Sequence, residues 1–136
     1  MKDGYSGFRV VADATAIARR PQQREALSRF EFLLARAMAS RPFSALCAYG
    51  SSQIGTGADE LICLHPDGGS GGPRFGLYPE PGAAFALAGE LDAANDELYL
   101  TALRRIWSLI DDGPTDHRRT APDVRGPPAT LHPRLA

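Results

Sequence analysis

Asp67-Gly68-Gly69-Ser70-Gly71-Gly72-Pro73-Arg74 divides this chain into two stretches of different character. So much glycine predicts a flexible linker over residues 67–74, because residues without a Cβ resist being fixed in one conformation. A first unit would then occupy residues 1–66 and a second residues 75–112. Residues 113–136 follow as a tail with prolines at 114, 122, 127, 128 and 133 and few large apolar side chains. That composition predicts disorder.

Upstream of the seam, Phe8-Arg9-Val10-Val11-Ala12 is a short run rich in strand-forming residues, and Asp13 lies just past its end. Residues 22–39 have helical periodicity, with Leu27, Phe30, Leu34, Ala37 and Met38 on one face and Arg24, Glu25 and Arg36 opposite. Arg41-Pro42 stops that helix, since the residue before a proline avoids the helical region. Phe43-Ser44-Ala45-Leu46-Cys47-Ala48-Tyr49 predicts a second strand, its near-continuous apolar character pointing to burial on both faces, as in a parallel sheet. Strand, helix, strand is a βαβ unit and places the chain in the α/β class. Residues 50–57 predict a polar loop, and residues 58–65 one or two helical turns closed by Pro66.

Downstream, residues 74–78 and 84–91 are strand candidates around a Pro79-Glu80-Pro81-Gly82 turn, which makes a hairpin. Asn95 is placed to cap a helix reaching about Ile110, with Asp96 and Glu97 in the first turn, where the helix dipole favours negative charge. Leu98, Ala102, Leu103, Ile106, Leu109 and Ile110 form its apolar stripe, and Trp107 stands at the edge.

The upstream segments, from Gly4-Tyr5-Ser6-Gly7 through Phe8–Thr15, Leu27 to Phe32, Phe43 to Tyr49 and Leu64-His65-Pro66, resemble in order the second half of a MEDS domain. This sensory domain is named from methanogen and methylotroph regulators. The resemblance implies a RecA-like fold whose early strands lie upstream of this chain. Phe75 to Tyr78, then Phe85 to Asp92 and the helix after Asn95, resemble the opening of a STAS domain, the fold of anti-anti-sigma factors. The similarity stops before the loop that carries the switch serine or threonine of that family, so no phosphorylation site carries over. By resemblance, Glu90, Asp92, Asn95 and the helix after them would supply a partner-binding surface, and the partner implied is a kinase-like anti-sigma factor; Trp107, at the edge of the stripe, suits either a partner contact or packing on the sheet. The same comparison admits a truncated gene product with little activity of its own.

Several residues invite chemical roles and have plainer ones. Asp13 ends a strand where nucleotide-binding relatives place a magnesium ligand, yet no Gly-x-x-x-x-Gly-Lys-Ser/Thr loop is present, and Asp13-Ala14-Thr15 also suits the start of a helix. Asp13 and Tyr49, at the carboxyl ends of the two strands, are the candidates for a small-molecule site, since α/β sheets bind ligands there. Cys47, Cys63 and His65 lack a fourth ligand and suit buried thiols better than a metal centre. Ser51-Ser52 has no triad partners nearby in sequence. Glu90 and Asp92 alternate onto one side of a strand, and Asp92 equally suits a turn.

The totals narrow the classes. A net charge of −1 over 136 residues argues against a dedicated nucleic-acid binder. No apolar run approaches the ~20 residues that span a bilayer, and Met1-Lys2-Asp3-Gly4-Tyr5-Ser6 has no secretory h-region. Two cysteines inside apolar runs suit a reducing cytoplasm. The expectation is a cytoplasmic, non-enzymatic regulatory protein without cofactor or metal, acting by protein contact in sigma-factor partner switching. The alternatives are a small-molecule sensor fragment or a metal-dependent hydrolase using Asp13, Cys63 and His65. Two incomplete units would leave sheet edges and apolar faces open, which predicts self-association.

Overall fold

The computed structural model describes Gly4, residues 6–66 and residues 71–111. The first half of the predicted linker, residues 67–70, and the predicted disordered tail lie outside the described residues. The order of elements is β1 (Phe8–Asp13), α1 (Thr15–Ala18), α2 (Pro21–Met38), β2 (Phe43–Ala48), α3 (Ser51–Ile54), a 3-10 turn (Gly55–Ala58), α4 (Asp59–Ile62), β3 (Phe75–Tyr78), β4 (Ala86–Gly89) and α5 (Asp96–Asp111). The class is α/β. Among the described residues no helix is long and apolar enough to cross a membrane.

Strands β1 and β2 pair in parallel from Phe8↔Phe43 to Asp13↔Ala48, with α2 as the crossover. Pro21 opens α2, where its missing N–H costs nothing and its fixed φ suits the helix. Strands β3 and β4 pair antiparallel, Phe75↔Gly89 to Tyr78↔Ala86. In their connection the Ala83 amide donates to the Glu80 carbonyl at 3.1 Å, with Pro81 and Gly82 between them and Gly82 at φ 82°. Proline followed by a glycine at positive φ is the requirement of a type II turn.

Three local expectations are corrected. Residues 50–57 are not an irregular loop but α3 and most of the 3-10 turn. Strand β2 is covered on one face alone. Phe43, Ala45 and Cys47 are half-buried while Ser44, Leu46 and Ala48 are exposed, and all six residues of β1 are exposed. A two-stranded sheet with one covering helix cannot bury both faces. The buried stripe of α2 is Leu27, Ser28, Glu31 and Phe32, and Phe30 is 55% exposed. Arg24 and Arg36 do not lie on an outer face. The Arg24 guanidinium sits against Glu60 with 13% exposure, and Arg36 donates to the Leu109 carbonyl at 2.5 Å. Helix α2 is packed on by the sheet and also by α4 and α5, so its buried sector rotates toward residues whose partners come from elsewhere in the chain.

Those partners cross the seam. Phe32, Cys63 and Leu64 share one apolar cluster with Phe75, Leu77, Ala102, Ile106 and Leu109. The predicted stripe of α5 supplies its share, with Leu98, Leu103 and Ile110 at the margin. The Leu77 amide donates to the Cys63 carbonyl at 2.6 Å. Above this cluster, Glu60 Oε2 accepts from Arg24 Nε at 3.1 Å and from Arg105 Nη2 at 2.7 Å, and Arg105 Nη1 reaches Ser28 Oγ at 3.1 Å. A second cluster of Ala14, Ala18, Leu27 and Leu61 packs α1, α2 and α4 together.

The shared cluster predicts how unfolding behaves. Phe32→Ala is expected to cost about 3–5 kcal/mol and Ile106→Ala about 2–5 kcal/mol, each by removing buried apolar volume that the surroundings refill only in part. Urea denaturation followed by circular dichroism should show both variants shifting one common transition. Two separable transitions, each moved by one variant alone, would contradict a shared core.

Candidate functional site

Glu31 is a carboxylate in the core, 2% exposed, on the middle turn of α2. A buried carboxylate is tolerated only with donors around it. Tyr49 Oη donates to Glu31 Oε1 at 2.7 Å, and Cys47 Sγ lies 3.3 Å from Glu31 Oε2. Both come from the end of β2, where residues 47 and 49 project toward α2. His65 Nε2 approaches Glu31 Oε2 to 3.8 Å, too far for a hydrogen bond, and Nε2 has no hydrogen-bond partner among the described residues.

The electrostatics of this group disfavour nucleophilic chemistry. Burial, then the hydrogen bond to Glu31, pushes the Cys47 thiol up to about 11. Burial pushes Cys63 up to about 12. Neither is a thiolate at neutral pH. Burial also raises the Tyr49 phenol, with the Glu31 hydrogen bond adding to it. Burial lowers His65, and the nearby Glu31 charge opposes that without overcoming it. The arrangement is a protonated-donor shell around one carboxylate, tying α2 to β2. Both cysteines are free. Among the described residues no group of three or more His, Cys, Asp or Glu side chains is placed to hold a metal ion.

The strand ends present a different picture. Asp13 Oδ1 accepts the Thr15 amide at 3.0 Å, which starts α1, and the hydrogen bonds from Thr15 hold the Asp13 carboxyl below its ordinary range. Thr15 Oγ1 accepts the Gly50 amide at 2.8 Å, joining α1 to the chain after β2. Arg19 bonds Gln53 across the same gap. Strand alternation sends Asp13 to the open face of the sheet and Tyr49 to the face under α2. The two candidate ligand residues are neighbours along the sheet edge, yet they face opposite sides.

The four candidate partner-binding residues lie closer together in purpose. Gly89 ends β4 at φ 91°, and a Cβ there would stand 2.1 Å from the Arg74 carbonyl oxygen. That turn lets the Glu90 amide donate to the same oxygen at 3.0 Å. Glu90 and Asp92 are therefore beyond the strand rather than on one of its faces, and both approach Arg74 Nη1, at 3.7 and 3.8 Å. Asp92 Oδ1 accepts the amides of Ala94 at 2.9 Å and Asn95 at 3.2 Å. The Asn95 carbonyl receives the first helical bond, from Tyr99 at 3.0 Å. Its side chain turns backward instead of capping forward, accepting the Asp92 amide and donating to the Glu90 carbonyl, both at 2.9 Å. Trp107 is on the outer face of α5, 57% exposed. No local pattern marks Arg74, at the far end of the seam, as facing this acidic turn. Between the two halves lies a cavity of about 160 Å³ lined by Ile62, His65, Arg74, Phe75 and Gly89 among others.

Tyr49→Phe is expected to cost about 1–3 kcal/mol in denaturant titration, because it strips a donor from a buried carboxylate. A neutral result would show that Glu31 finds its compensation elsewhere. The folded chain binds a proton at His65 less readily than the unfolded chain does, whose value is near 6.5. As pH falls through that value the unfolded state takes up more protons, so stability declines with acid. The melting temperature should drop between about pH 7.5 and 5.5, and His65→Gln should flatten that drop. An unchanged slope in the variant would remove His65 from the account.

The family model described as MEDS, the MEthanogen/methylotroph, DcmR Sensory domain, matches residues 1–66. No curated protein and no solved structure matches the chain. The matched span carries β1 through α4 and ends at Pro66, so residues 1–66 are similar to a sensory-domain family.

Proposed function

We propose that this chain is a non-enzymatic bacterial signalling protein of MEDS–STAS type, acting by protein contact in sigma-factor partner switching. The observation that carries the signalling half is the MEDS match over residues 1–66. On this reading that unit is a partial RecA-like fold, and the hairpin with α5 is the opening of a STAS-like one. The contact surface is the acidic turn with the outer face of α5. Asp92 is fixed by the amides of Ala94 and Asn95, and Asn95 holds the Glu90 backbone, so a partner would meet a turn whose backbone ordering is already done. Trp107 offers an exposed aromatic of the kind that anchors interfaces.

A second reading, small-molecule sensing, is favoured by the cavity between the two halves, where His65 and Arg74 offer polar contacts beside apolar walls. The two readings separate by experiment. Calorimetric titration with a purified kinase-like anti-sigma factor should show binding that Trp107→Ala and Asp92→Ala each weaken about tenfold, or ~1.4 kcal/mol. Absence of binding, or binding indifferent to both variants, would overturn the first reading. A metabolite that raises the melting temperature of the parent chain and not of Arg74→Ala would favour the second.

A further inference from the structure

Among the described residues, β1 is hydrogen-bonded to a neighbouring strand along one edge alone. The amide of Phe8 donates to Pro42 at 3.2 Å and that of Ala14 to Ala48 at 3.0 Å. With the register of the pair, even-numbered residues of β1 turn their backbone groups toward β2. Arg9, Val11 and Asp13 turn theirs outward, away from β2. All six residues of β1 are exposed, and Val11, at 75%, is among the most open apolar side chains on the surface. On the open face Leu46 stands beside Val11 at 64% exposure. The far edge of β2 is not equivalent, since the Ala45 amide there is already taken by Met38 Sδ at 3.1 Å.

We propose that two copies of this chain pair antiparallel through β1, about a two-fold axis at Val11, forming a continuous four-stranded sheet. Only a register that sets outward-facing residues against outward-facing residues can form hydrogen bonds. With Val11 opposite Val11 of the second copy, Arg9 falls opposite Asp13 of the second copy, and the relation repeats on the other side of the axis. Opposite charges directly across an antiparallel pair stabilise it. Asp13 spends Oδ1 on the Thr15 amide, and a carboxylate has a second oxygen for a guanidinium. A slip of two residues, the smallest that keeps outward groups facing, loses both charge pairs. Strand β4 also ends a sheet, but Ala86-Leu87-Ala88-Gly89 carries no charge to fix a register. The pairing is isologous, so it closes at two copies along this edge. It stands independently of the sigma-factor reading.

The test uses the full 136-residue chain. Light scattering after gel filtration should give a concentration-dependent dimer. In the hydrogen-bonded pair at the axis the two Cα atoms would lie about 5.5 Å apart, within disulfide reach. Val11→Cys should therefore cross-link to a covalent dimer on mild oxidation, and Val10→Cys should not. Arg9→Asp, which sets like charges opposite each other, should weaken the dimer at least tenfold while its circular dichroism melt stays that of a folded chain. A monomer at every concentration would overturn the proposal and assign the edge to another segment or partner. So would equal cross-linking at both positions, or a dimer unmoved by Arg9→Asp.

Discussion

The middle turns of α2 must satisfy a carboxylate, a hydroxyl and an aromatic ring at once, in the dry interior. Glu31 needs donors, Ser28 needs a partner, and Phe32 needs apolar cover on all sides. No single neighbouring element supplies all three. Strand β2 and the residue after it bring Cys47 and Tyr49 to Glu31, Ser28 donates to the Arg24 carbonyl within α2 and accepts from Arg105 of α5, and the surroundings of Phe32 are drawn from the residues just after α4, from β3 and from α5. The placement of α2 against two sets of elements is therefore a condition for its own burial. Loss of either side would leave a buried polar group or a bare ring, each costly enough to matter against the few kcal/mol by which domains are stable.

The same constraint explains which parts of the fold were legible. Both parallel strands, the long helix between them, the hairpin and α5 with its apolar stripe follow from local periodicity and turn chemistry, and they stand where residues 8–12, 22–39, 43–49 and 95–110 suggest. The buried sector of α2 was not legible. Periodicity selects Phe30 because it is large and apolar, and it rejects Glu31 because it is charged. What reverses that choice is Tyr49, Cys47 and Arg105, residues 16 to 77 positions away in sequence. Helical structure in residues 51–58 was hidden by glycines and serines, which locally favour turns and are overridden here by packing against α1 and α2. Of the candidate site residues, Glu90, Asp92 and Asn95 gather as a unit through local hydrogen bonds of the turn, and Arg74 approaches its two carboxylates from across the hairpin, a pairing that leaves no local pattern.

The two faces of the β1–β2 sheet divide the chain's chemistry. Under α2, Cys47 and Tyr49 are protonated, partly shielded and bonded to Glu31. On the open face, Arg9, Val11, Asp13 and Leu46 meet solvent with their charges and apolar surface uncovered. In the acidic turn near Arg74, the Asp92 carboxylate does both jobs, with Oδ1 on the amides of Ala94 and Asn95 and Oδ2 toward Arg74.

Trp107 is the chain's single tryptophan, and it lies on the outside of α5 rather than in the cluster below. Its indole is already in contact with water in the folded state, so the emission of this protein reports little about whether the core is intact. It reports instead on what covers α5. The chain therefore carries an intrinsic fluorophore on its surface, more sensitive to what surrounds α5 than to the state of the core.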